Sequence, residues 1–564
     1  MILTYESKGR LLTAGESDAR VTISEETSAG RTRITVTAVE DVILKEARID
    51  RIRTIDKDCP VIANGFQSWT ETREFVRGEH LNDLSLLPPL FEDRFHFRAY
   101  GSYAFWTPPA DQDRFPKGLS RRKWKNPLMP ASDDLTAFEW AHFKEDRPFF
   151  IGSFNAAEAW LIVQILRDEG CVTLYGDVEG KALRAGESFT VFDFLITEDP
   201  REYFESFSPR SDRKLFGYTS WYNHFQNINA RLIEDAIDRA DERLELFQID
   251  DGFETFVGDW LDVDQAKFPR GLEPVVEKIH AKGMMAGIWL APFVAEDASR
   301  LSKEHPDWIA RDADGKKIYA GCNWSGDCPL DLNVPEAVEY VRKVLRSYRD
   351  MGFDLFKLDF IYAASLKPLD GKTRAETSEF AYGLLREELQ DRLIIGCGAA
   401  LANCIGRFDY CRIGPDVSLR FDDSFYMRAF HPERISTKVT LVNTIYRSPS
   451  DGRMYLNDPD VFLLRDDNIG LSREQRKALT LINALFGSLL MTSDDTGSYD
   501  DDRRALLDRA LALFRRGRAL SYERRGDLIA IDYELDGGRH SMTYDMNRGI
   551  LTEDIKRERS KEKP

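Results

Sequence analysis

The 564-residue chain has no apolar run approaching the roughly 20 residues needed to cross a bilayer, so a membrane protein is not predicted. Its first residues show neither a sustained apolar stretch nor a cleavage pattern, which predicts no secretory signal. The seven cysteines are scattered, and none forms a Cys-x-x-Cys pair. We therefore predict reduced thiols and a cytoplasmic location, not a disulfide framework.

Histidine is scarce, and positive charge is outnumbered. None of the eight His stands in a His-Glu-x-x-His or His-x-His arrangement, so no metal site built on histidine is predicted. Asp and Glu total 96 against 78 Lys and Arg, which leaves a net charge of −18. Such a surface repels a polyphosphate, so nucleic acid is not an expected partner.

The chain has the composition of a globular protein, with 42 % apolar and 31 % charged residues. The first 200 residues alternate apolar and polar positions, as at Ile34, Val36 and Ala38. This period of two predicts β-strands, and the recurring turn signals between them favour an antiparallel sandwich. We assign residues 1–205 to an N-terminal β-sandwich.

The sequence pattern changes at Leu215, from which short apolar runs alternate with amphipathic helical patterns. Ser472 and Gln475 form a capping-box signal for one helix, and Asn333 before Pro335 is expected to cap another. Eight strands over about 280 residues predict a (β/α)8 barrel, with a doubly wound sheet as the alternative. The barrel is assigned to residues 206–515, and its eight predicted strands lie in Leu215–Trp221, Leu244–Asp251, Met284–Phe293, Phe353–Phe360, Leu393–Gly398, Tyr410–Asp416, Met454–Asp460 and Ser488–Asp495.

The last segment returns to β-structure. Ile529, Ile531 and Tyr533 alternate with polar residues before an Asp-Gly-Gly turn. Residues 516–564 are therefore predicted to form a small C-terminal antiparallel β domain with a charged, frayed tail after Glu553.

Most of the barrel strands end in polar residues, at the edge where barrel enzymes place their chemistry. Lys357 precedes Asp359 by two residues, so both side chains share one strand face, and the ammonium would favour an ionised, nucleophilic Asp359. A salt-bridged pair at a strand end is the alternative. Gly414-Pro415 turns the chain and directs Asp416 over the barrel mouth, where a protonated carboxyl could act as a general acid. An ordinary Asx turn after proline is the alternative for Asp416.

Two further positions are candidates for ligand contacts. Asp250 and Asp251 close the second strand, and their oxygens suit vicinal hydroxyl groups. A helix cap or a metal site, with Asp259 as the third ligand, is the alternative. Trp69 lies in the loop Asn64-Gly65-Phe66-Gln67-Ser68-Trp69, where it either packs in the sandwich or walls a ligand at the barrel mouth.

In combination these segments resemble glycoside hydrolase family 36, in the clan that also holds the family 27 α-galactosidases. The resemblance covers residues 216–495 and extends to the Trp69 loop. It rests on motifs that occur in the family's order: Gly217-Tyr218-Thr219-Ser220-Trp221-Tyr222, Gln248-Ile249-Asp250-Asp251, Gly287-Ile288-Trp289-Leu290-Ala291-Pro292-Phe293, His305-Pro306-Asp307-Trp308, Phe356-Lys357-Leu358-Asp359-Phe360, Gly396-Cys397-Gly398, Arg412-Ile413-Gly414-Pro415-Asp416 and Leu456-Asn457-Asp458-Pro459-Asp460.

The resemblance implies an α-galactosidase that releases terminal α-galactose from small oligosaccharides of the melibiose or raffinose type. It implies retention through a covalent intermediate, with Asp359 as nucleophile, Asp416 as general acid/base and a carboxyl separation of about 5–5.5 Å. No cofactor and no metal are implied, and we expect a monomer or a small homo-oligomer. The substrate-binding residues implied are Asp250 and Asp251 near O4 and O6, Lys357 near O3 and O4, Cys397 and Arg412 on the O2 side, and Trp69, Tyr222 and Trp289 along the sugar faces.

One departure from the family falls directly after Asp416. The segment Val417-Ser418-Leu419-Arg420-Phe421 is charged where a more apolar, Trp-containing stretch is expected, which leaves the leaving-group preference open. Transfer of galactose between sugars, action on α-N-acetylgalactosamine, a metal-dependent barrel hydrolase and a non-catalytic sugar-binding barrel remain alternatives.

Overall fold

A computed structural model describes residues 1–14, 20–79, 134–321, 323–422 and 435–553. The charged tail that the sequence predicts to be frayed lies outside these ranges. Within them, no helix combines the length and the apolar character that a membrane crossing requires.

The N-terminal part consists of two antiparallel sheets that pack face to face. One sheet has the strand order β2-β1-β5-β12-β11-β8 with β13 beside β5, and the other has the order β3-β4-β14-β10-β9-β6-β7. Alternate residues such as Leu3, Tyr5, Val36 and Phe194 meet in one buried core between the sheets, which confirms the sandwich. The strands are β1 (Ile2–Ser7), β2 (Arg10–Thr13), β3 (Val21–Ser28), β4 (Arg31–Ala38), β5 (Val42–Thr54), β6 (Val61–Ala63), β7 (Arg73–Phe75), β8 (Leu135–Phe138), β9 (Trp140–Phe143), β10 (Phe149–Ser153), β11 (Leu161–Leu166), β12 (Cys171–Gly176), β13 (Ala182–Leu183) and β14 (Ser188–Thr197).

The barrel follows, and each of the eight predicted runs contains one parallel strand. Its strands and the connecting hairpin are β15 (Leu215–Thr219), β16 (Leu246–Ile249), β17 (Met285–Leu290), β18 (Val294–Glu296), β19 (Asp327–Pro329), β20 (Leu355–Leu358), β21 (Leu393–Gly396), β22 (Tyr410–Arg412), β23 (Leu456–Asp458), β24 (Val461–Phe462) and β25 (Leu489–Thr492). The parallel strands are neighbours in chain order from β15 to β23, and β25 pairs with β15. The Ser488 N–H donates to the Asn457 carbonyl at 2.9 Å, between the segments of β25 and β23, which closes the barrel. A closed ring in sequential order is a (β/α)8 barrel and not a doubly wound sheet.

Helices lie before, between and after the barrel strands in the chain. They are α1 (Pro200–Phe204), α2 (Trp221–His224), α3 (Ala230–Arg239), α4 (Glu273–Ala281), α5 (Arg300–Glu304), α6 (Pro335–Asp350), α7 (Arg374–Leu389), α8 (Leu401–Cys404), α9 (Thr437–Tyr446), α10 (Arg473–Phe486) and α11 (Asp501–Arg516), with 3₁₀ turns at Ile361–Ser365, Ser448–Ser450 and Thr496–Ser498. The capping box of Ser472 and Gln475 is confirmed at the start of α10.

The expectation that Asn333 caps α6 is wrong. Because Pro335 occupies the first helical position, the preceding Val334 is extended and takes the N-cap position. The Asn333 amide instead donates to Asp331 and to the Pro368 carbonyl.

The C-terminal sheet is an antiparallel meander of β26 (Arg518–Arg525), β27 (Leu528–Leu535), β28 (Gly538–Asp545) and β29 (Ile550–Glu553). Ile529, Ile531 and Tyr533 are buried on one face of β27, as their alternation predicts. The three architectural parts occur in the predicted order, and the residue boundaries given for them stay predictions.

Candidate active site

A cavity of about 610 Å³ lies at the carboxyl ends of the barrel strands. Its lining includes eight of the ten residues singled out from the sequence: Trp69, Tyr222, Asp250, Asp251, Trp289, Lys357, Asp359 and Asp416. The two others, Cys397 and Arg412, are not among the described lining residues and lie behind the wall, buried. Residues from the ends of five barrel strands and from the sandwich therefore line one cavity.

Asp359 follows β20 and is held from several sides. Its carboxylate accepts hydrogen bonds from the Trp289 indole N–H at 3.1 Å, from the Phe360 backbone N–H at 2.8 Å and from the Cys397 thiol. Burial raises the pKa of Asp359 above its usual value, Lys357 opposes that shift, and the nearby Asp416 adds to it. Lys357 lowers this pKa, as the sequence analysis expects, but the effect of burial is larger, so the net shift is upward.

Lys357 makes its ion pair with Asp250, at 2.9 Å, on the neighbouring side of the site. The same Asp250 oxygen accepts from Gln248 and Thr219, and its other oxygen accepts from the Asp251 backbone. Burial alone would raise the pKa of Asp250, but Lys357 and these hydrogen bonds hold it below the usual value. Asp250 is therefore a fixed, ionised acceptor.

Asp251 is held by two side chains that the sequence analysis did not identify. Its carboxylate accepts from the Gln226 amide at 3.0 Å and from the Trp324 indole N–H at 3.1 Å. A third neighbour, the buried Glu254, shares a hydrogen bond with it. Trp324 lies in the hairpin connection between β18 and β19, which carries no periodic pattern, so no local signal could have identified it.

The alternative of a metal held by Asp250, Asp251 and Asp259 does not fit the observed contacts. Both Asp259 oxygens accept backbone N–H groups at the start of α5, from Arg300 at 2.8 Å and from Leu301 at 2.9 Å. Across the described part of the chain, no group of three or more His, Cys, Asp or Glu is arranged to hold a metal ion.

Asp416 also lines the cavity. The Gly414-Pro415 turn carries it out of β22, and its side chain is 31 % exposed. One Asp416 oxygen contacts the Arg412 guanidinium at 2.9 Å. Asp416 is thus tethered at one oxygen and open to solvent, unlike Asp359.

Arg412 joins Asp416 to a buried acidic cluster at the end of β23. The guanidinium also pairs with Asp458 at 3.1 Å and with Asp460 at 2.9 Å. The Tyr222 hydroxyl donates to Asp460 at 2.5 Å, and the Val417 N–H donates to the same oxygen at 2.7 Å. Burial raises the pKa of Asp460 to about 7, although Arg412 opposes the shift. The Asp458-Pro459-Asp460 ending was a usable signal, because a polar group that follows a barrel strand points to the site.

The Trp69 loop belongs to the sandwich but reaches the barrel mouth of its own chain. Trp69 packs edge-on against Phe360, with ring centroids 5.1 Å apart. The Arg447 guanidinium holds the loop by donating to four backbone carbonyls of residues 65–70 at 2.8–3.3 Å. Gly398 has a φ of +52°, and a Cβ there would lie 2.8 Å from Trp69, so the motif glycine makes room for the indole.

The cavity lining also includes Trp221, the exposed Phe225, Leu419 and Arg420. Leu419 and Arg420 belong to the segment that departs from the family pattern.

Comparisons with known proteins agree with this geometry. Residues 215–384 match the family model described as Melibiase. An α-galactosidase from Escherichia coli is 33 % identical over 132 residues, 22 % of this chain and 18 % of that protein. An A type blood α-D-galactosamine galactosaminidase from Flavonifractor plautii is 32 % identical over 127 residues, 20 % of this chain and 11 % of that protein. The chain therefore matches less than a fifth of the length of these curated relatives.

A solved structure extends the likeness beyond the barrel. The α-galactosidase TtGalA from Thermus thermophilus, in complex with p-nitrophenyl α-D-galactopyranoside, has a TM-score of 0.66. It is 22 % identical, and the match covers 96 % of this chain and 98 % of that one. The resemblance to glycoside hydrolase family 36 is confirmed. The likeness covers the three-part fold, sandwich and C-terminal sheet included.

Proposed function

We propose that the protein is a retaining α-galactosidase that hydrolyses terminal, non-reducing α-galactosyl residues of small oligosaccharides of the melibiose or raffinose type. The single observation that carries the proposal is the placement of Asp359 and Asp416 in one cavity, one enclosed and the other open to solvent. Retaining glycosidases need two carboxyl groups with different roles across the anomeric carbon. The matches to α-galactosidases support galactose as the sugar that is released.

In this mechanism Asp359 attacks the anomeric carbon while Asp416 gives its proton to the departing oxygen. The bond from carbon to the leaving oxygen breaks as the bond to Asp359 forms, which leaves a covalent galactosyl-enzyme. Asp416 then takes a proton from water, and the water oxygen displaces Asp359 from the anomeric carbon. Trp289, Cys397 and the Phe360 N–H hold the Asp359 carboxylate for the attack.

Substrate orientation follows from the same contacts. Asp250 and Asp251 offer acceptor oxygens for the O4 and O6 side of galactose, and Lys357 lies beside Asp250 for O3 and O4. Trp69, Trp289 and Tyr222 face the cavity as its aromatic walls. Arg412 and Cys397 contact the two proposed catalytic carboxyl groups from behind, so contact with O2 stays a prediction for them.

The test is release of p-nitrophenol from the aryl α-galactoside by the wild type and by Asp359→Asn. We expect an active wild type that EDTA does not inhibit, and a fall on the order of 10⁴-fold or more in the variant, because the amide is not a nucleophile. Asp359→Gly with azide should form the β-galactosyl azide. Asp259→Asn is the matched control, since this buried residue caps α5 outside the cavity and should keep near wild-type activity.

Full activity in Asp359→Asn would contradict the mechanism. A wild type that is inactive on the galactoside but active on the N-acetyl or glucosyl analogue would be consistent with the proposed mechanism and would contradict galactose as the sugar. Products analysed at high concentrations of an acceptor sugar separate hydrolysis from transfer.

We also propose a reducing, cytoplasmic location. The support is chemical, because the six described cysteines are free thiols and buried. Cell fractionation in the source organism checks it, and recovery of the protein outside the cytoplasm would contradict it.

A further inference from the structure

Two buried carboxyl groups lie side by side at the end of β16. Asp251 is 2 % exposed and Glu254 is 5 % exposed, and their side chains are hydrogen bonded to each other. The Gly252 N–H also donates to Glu254, at 3.2 Å, which fixes the glutamate within the same turn. A hydrogen bond between two carboxyl groups requires a proton on one of them, because an ionised carboxylate can only accept.

The cations around this turn are engaged elsewhere. Lys357 pairs with Asp250, and Lys267 donates to the Gly252 and Gln226 carbonyls at 2.8 and 3.0 Å. Tyr348 of α6 is another titratable group beside Glu254, and its hydroxyl donates to the Trp260 carbonyl. A proton between the two carboxyl groups therefore takes the place that a counter-ion would otherwise fill.

The surroundings of the pair assign that proton to Glu254. Asp251 accepts hydrogen bonds from two side-chain donors, the Gln226 amide and the Trp324 indole, which suits an ionised group, whereas Glu254 accepts from the backbone N–H of Gly252. Burial raises the pKa of both carboxyl groups, and that of Glu254 lies well above its usual value because the charge of Asp251 adds to the shift.

We propose that Glu254 is a protonated positioning residue that holds Asp251 ionised and oriented for substrate binding. The proposal rests on the proposed function, because Asp251 lines the cavity that is to receive the sugar. Loss of the proton places two negative charges side by side in a buried turn, so Asp251 leaves its position and sugar binding weakens.

The test is the affinity for galactose between pH 6 and pH 10, measured by calorimetry, together with KM and kcat on the aryl α-galactoside. In the wild type, the dissociation constant and KM should rise at the alkaline end, with kcat less affected. Glu254→Gln keeps a donor that does not titrate, so its affinity should match the wild type at neutral pH and stay flat. Glu254→Leu removes the donor and should weaken binding about tenfold at neutral pH.

A flat wild-type profile overturns the proposal, and so does an identical alkaline rise in Glu254→Gln. Thermal unfolding shows whether the variants fold. If they do not, the pH profile of the wild type alone tests the proposal. Infrared difference spectra of wild type against Glu254→Gln at neutral pH need no substrate: a carboxylic acid C=O band that is lost in the variant supports the proposal, and its absence from the wild type overturns it. An inactive wild type that retains this band would contradict the proposed function and leave the shared proton intact.

Discussion

Asp359 and Asp416 line the same cavity, but their surroundings differ. Asp359 is buried and receives hydrogen bonds from an indole, a thiol and a backbone N–H. Asp416 has a side chain that is 31 % exposed and contacts Arg412. The enclosed group is held rigidly for attack on carbon, whereas the open group has access to water and to the departing oxygen. One cavity can thus support two roles for the same residue type.

The enclosure of Asp359 works against its own ionisation. Burial raises the pKa of Asp359, and the charge of Asp416 raises it further. Trp289, Cys397 and Lys357 each favour the ionised form, so this side of the site compensates for desolvation with contacts. The Asp416 side depends on one guanidinium that three carboxylates share.

A large effect that distinguishes the two carboxyl groups by their dependence on the leaving group is expected from Asp416→Asn. The amide cannot give a proton to the departing oxygen, so kcat/KM on melibiose or raffinose should fall about 10²–10⁴-fold. An aryl galactoside with a good leaving group needs less help, and its glycosylation step should suffer less. The measurement is kcat/KM across aryl galactosides of increasing leaving-group pKa, where a steeper slope in the variant is expected.

The matched comparison is Asp359→Asn on the same substrates. This variant should lose activity on all of them to a similar extent, because the nucleophile acts whatever the leaving group. If both variants respond to the leaving group in the same way, the assignment of different roles to the two carboxyl groups is wrong.

A smaller effect is expected from Trp289→Phe, which removes one donor to Asp359 and keeps an aromatic ring. A hydrogen bond to a charged group contributes about 1.5–3 kcal/mol, so kcat/KM should fall about 10- to 100-fold at neutral pH. The lost bond favours the ionised form, so the pKa of Asp359 should rise further. The acid limb of the pH profile of kcat/KM should therefore move to higher pH.

Trp260→Phe is the control for that change. Trp260 packs against Trp289 with ring centroids 5.6 Å apart, and the hydrogen bond to Asp359 comes from Trp289. The control should leave the acid limb where it is in the wild type. An unshifted limb in Trp289→Phe would mean that the indole contact does not govern Asp359.

The barrel was predictable from the sequence because its signals are local. Parallel strands buried on both faces read as short apolar runs, and each of the eight runs contains a strand. Residues just after the end of a strand, such as Asp359, or after a short turn that leaves it, such as Asp416, are placed at the barrel mouth by topology. Their position in one cavity therefore agrees with the sequence analysis, while their chemical roles stay predictions.

The rest of the site depends on contacts between residues that are distant along the chain. Trp324 reaches Asp251 across 73 positions from an aperiodic hairpin connection, and Arg447 holds the Trp69 loop from almost 380 residues away. Burial, which outweighs the lowering of the Asp359 pKa by Lys357, is a property of the packed site and not of the local spacing. No pattern within a window of 10 to 20 residues contains this information.

The smallest effect is expected on the Asp416 side, from Tyr222→Phe. The change removes the hydroxyl that donates to Asp460, and an ordinary hydrogen bond contributes about 0.5–1.5 kcal/mol, so kcat on a poor leaving group should fall about two- to tenfold. The Tyr222 hydrogen bond lowers the pKa of Asp460, which burial raises to about 7, so its loss should protonate Asp460 further and free Arg412 to bind Asp416 more tightly. A tighter ion pair holds Asp416 against Arg412 and away from the departing oxygen, so the loss should be greater on melibiose than on the aryl galactoside. Equal losses on both substrates would mean that Tyr222 acts only as a wall of the sugar pocket, and that the shared guanidinium does not link Asp460 to proton donation.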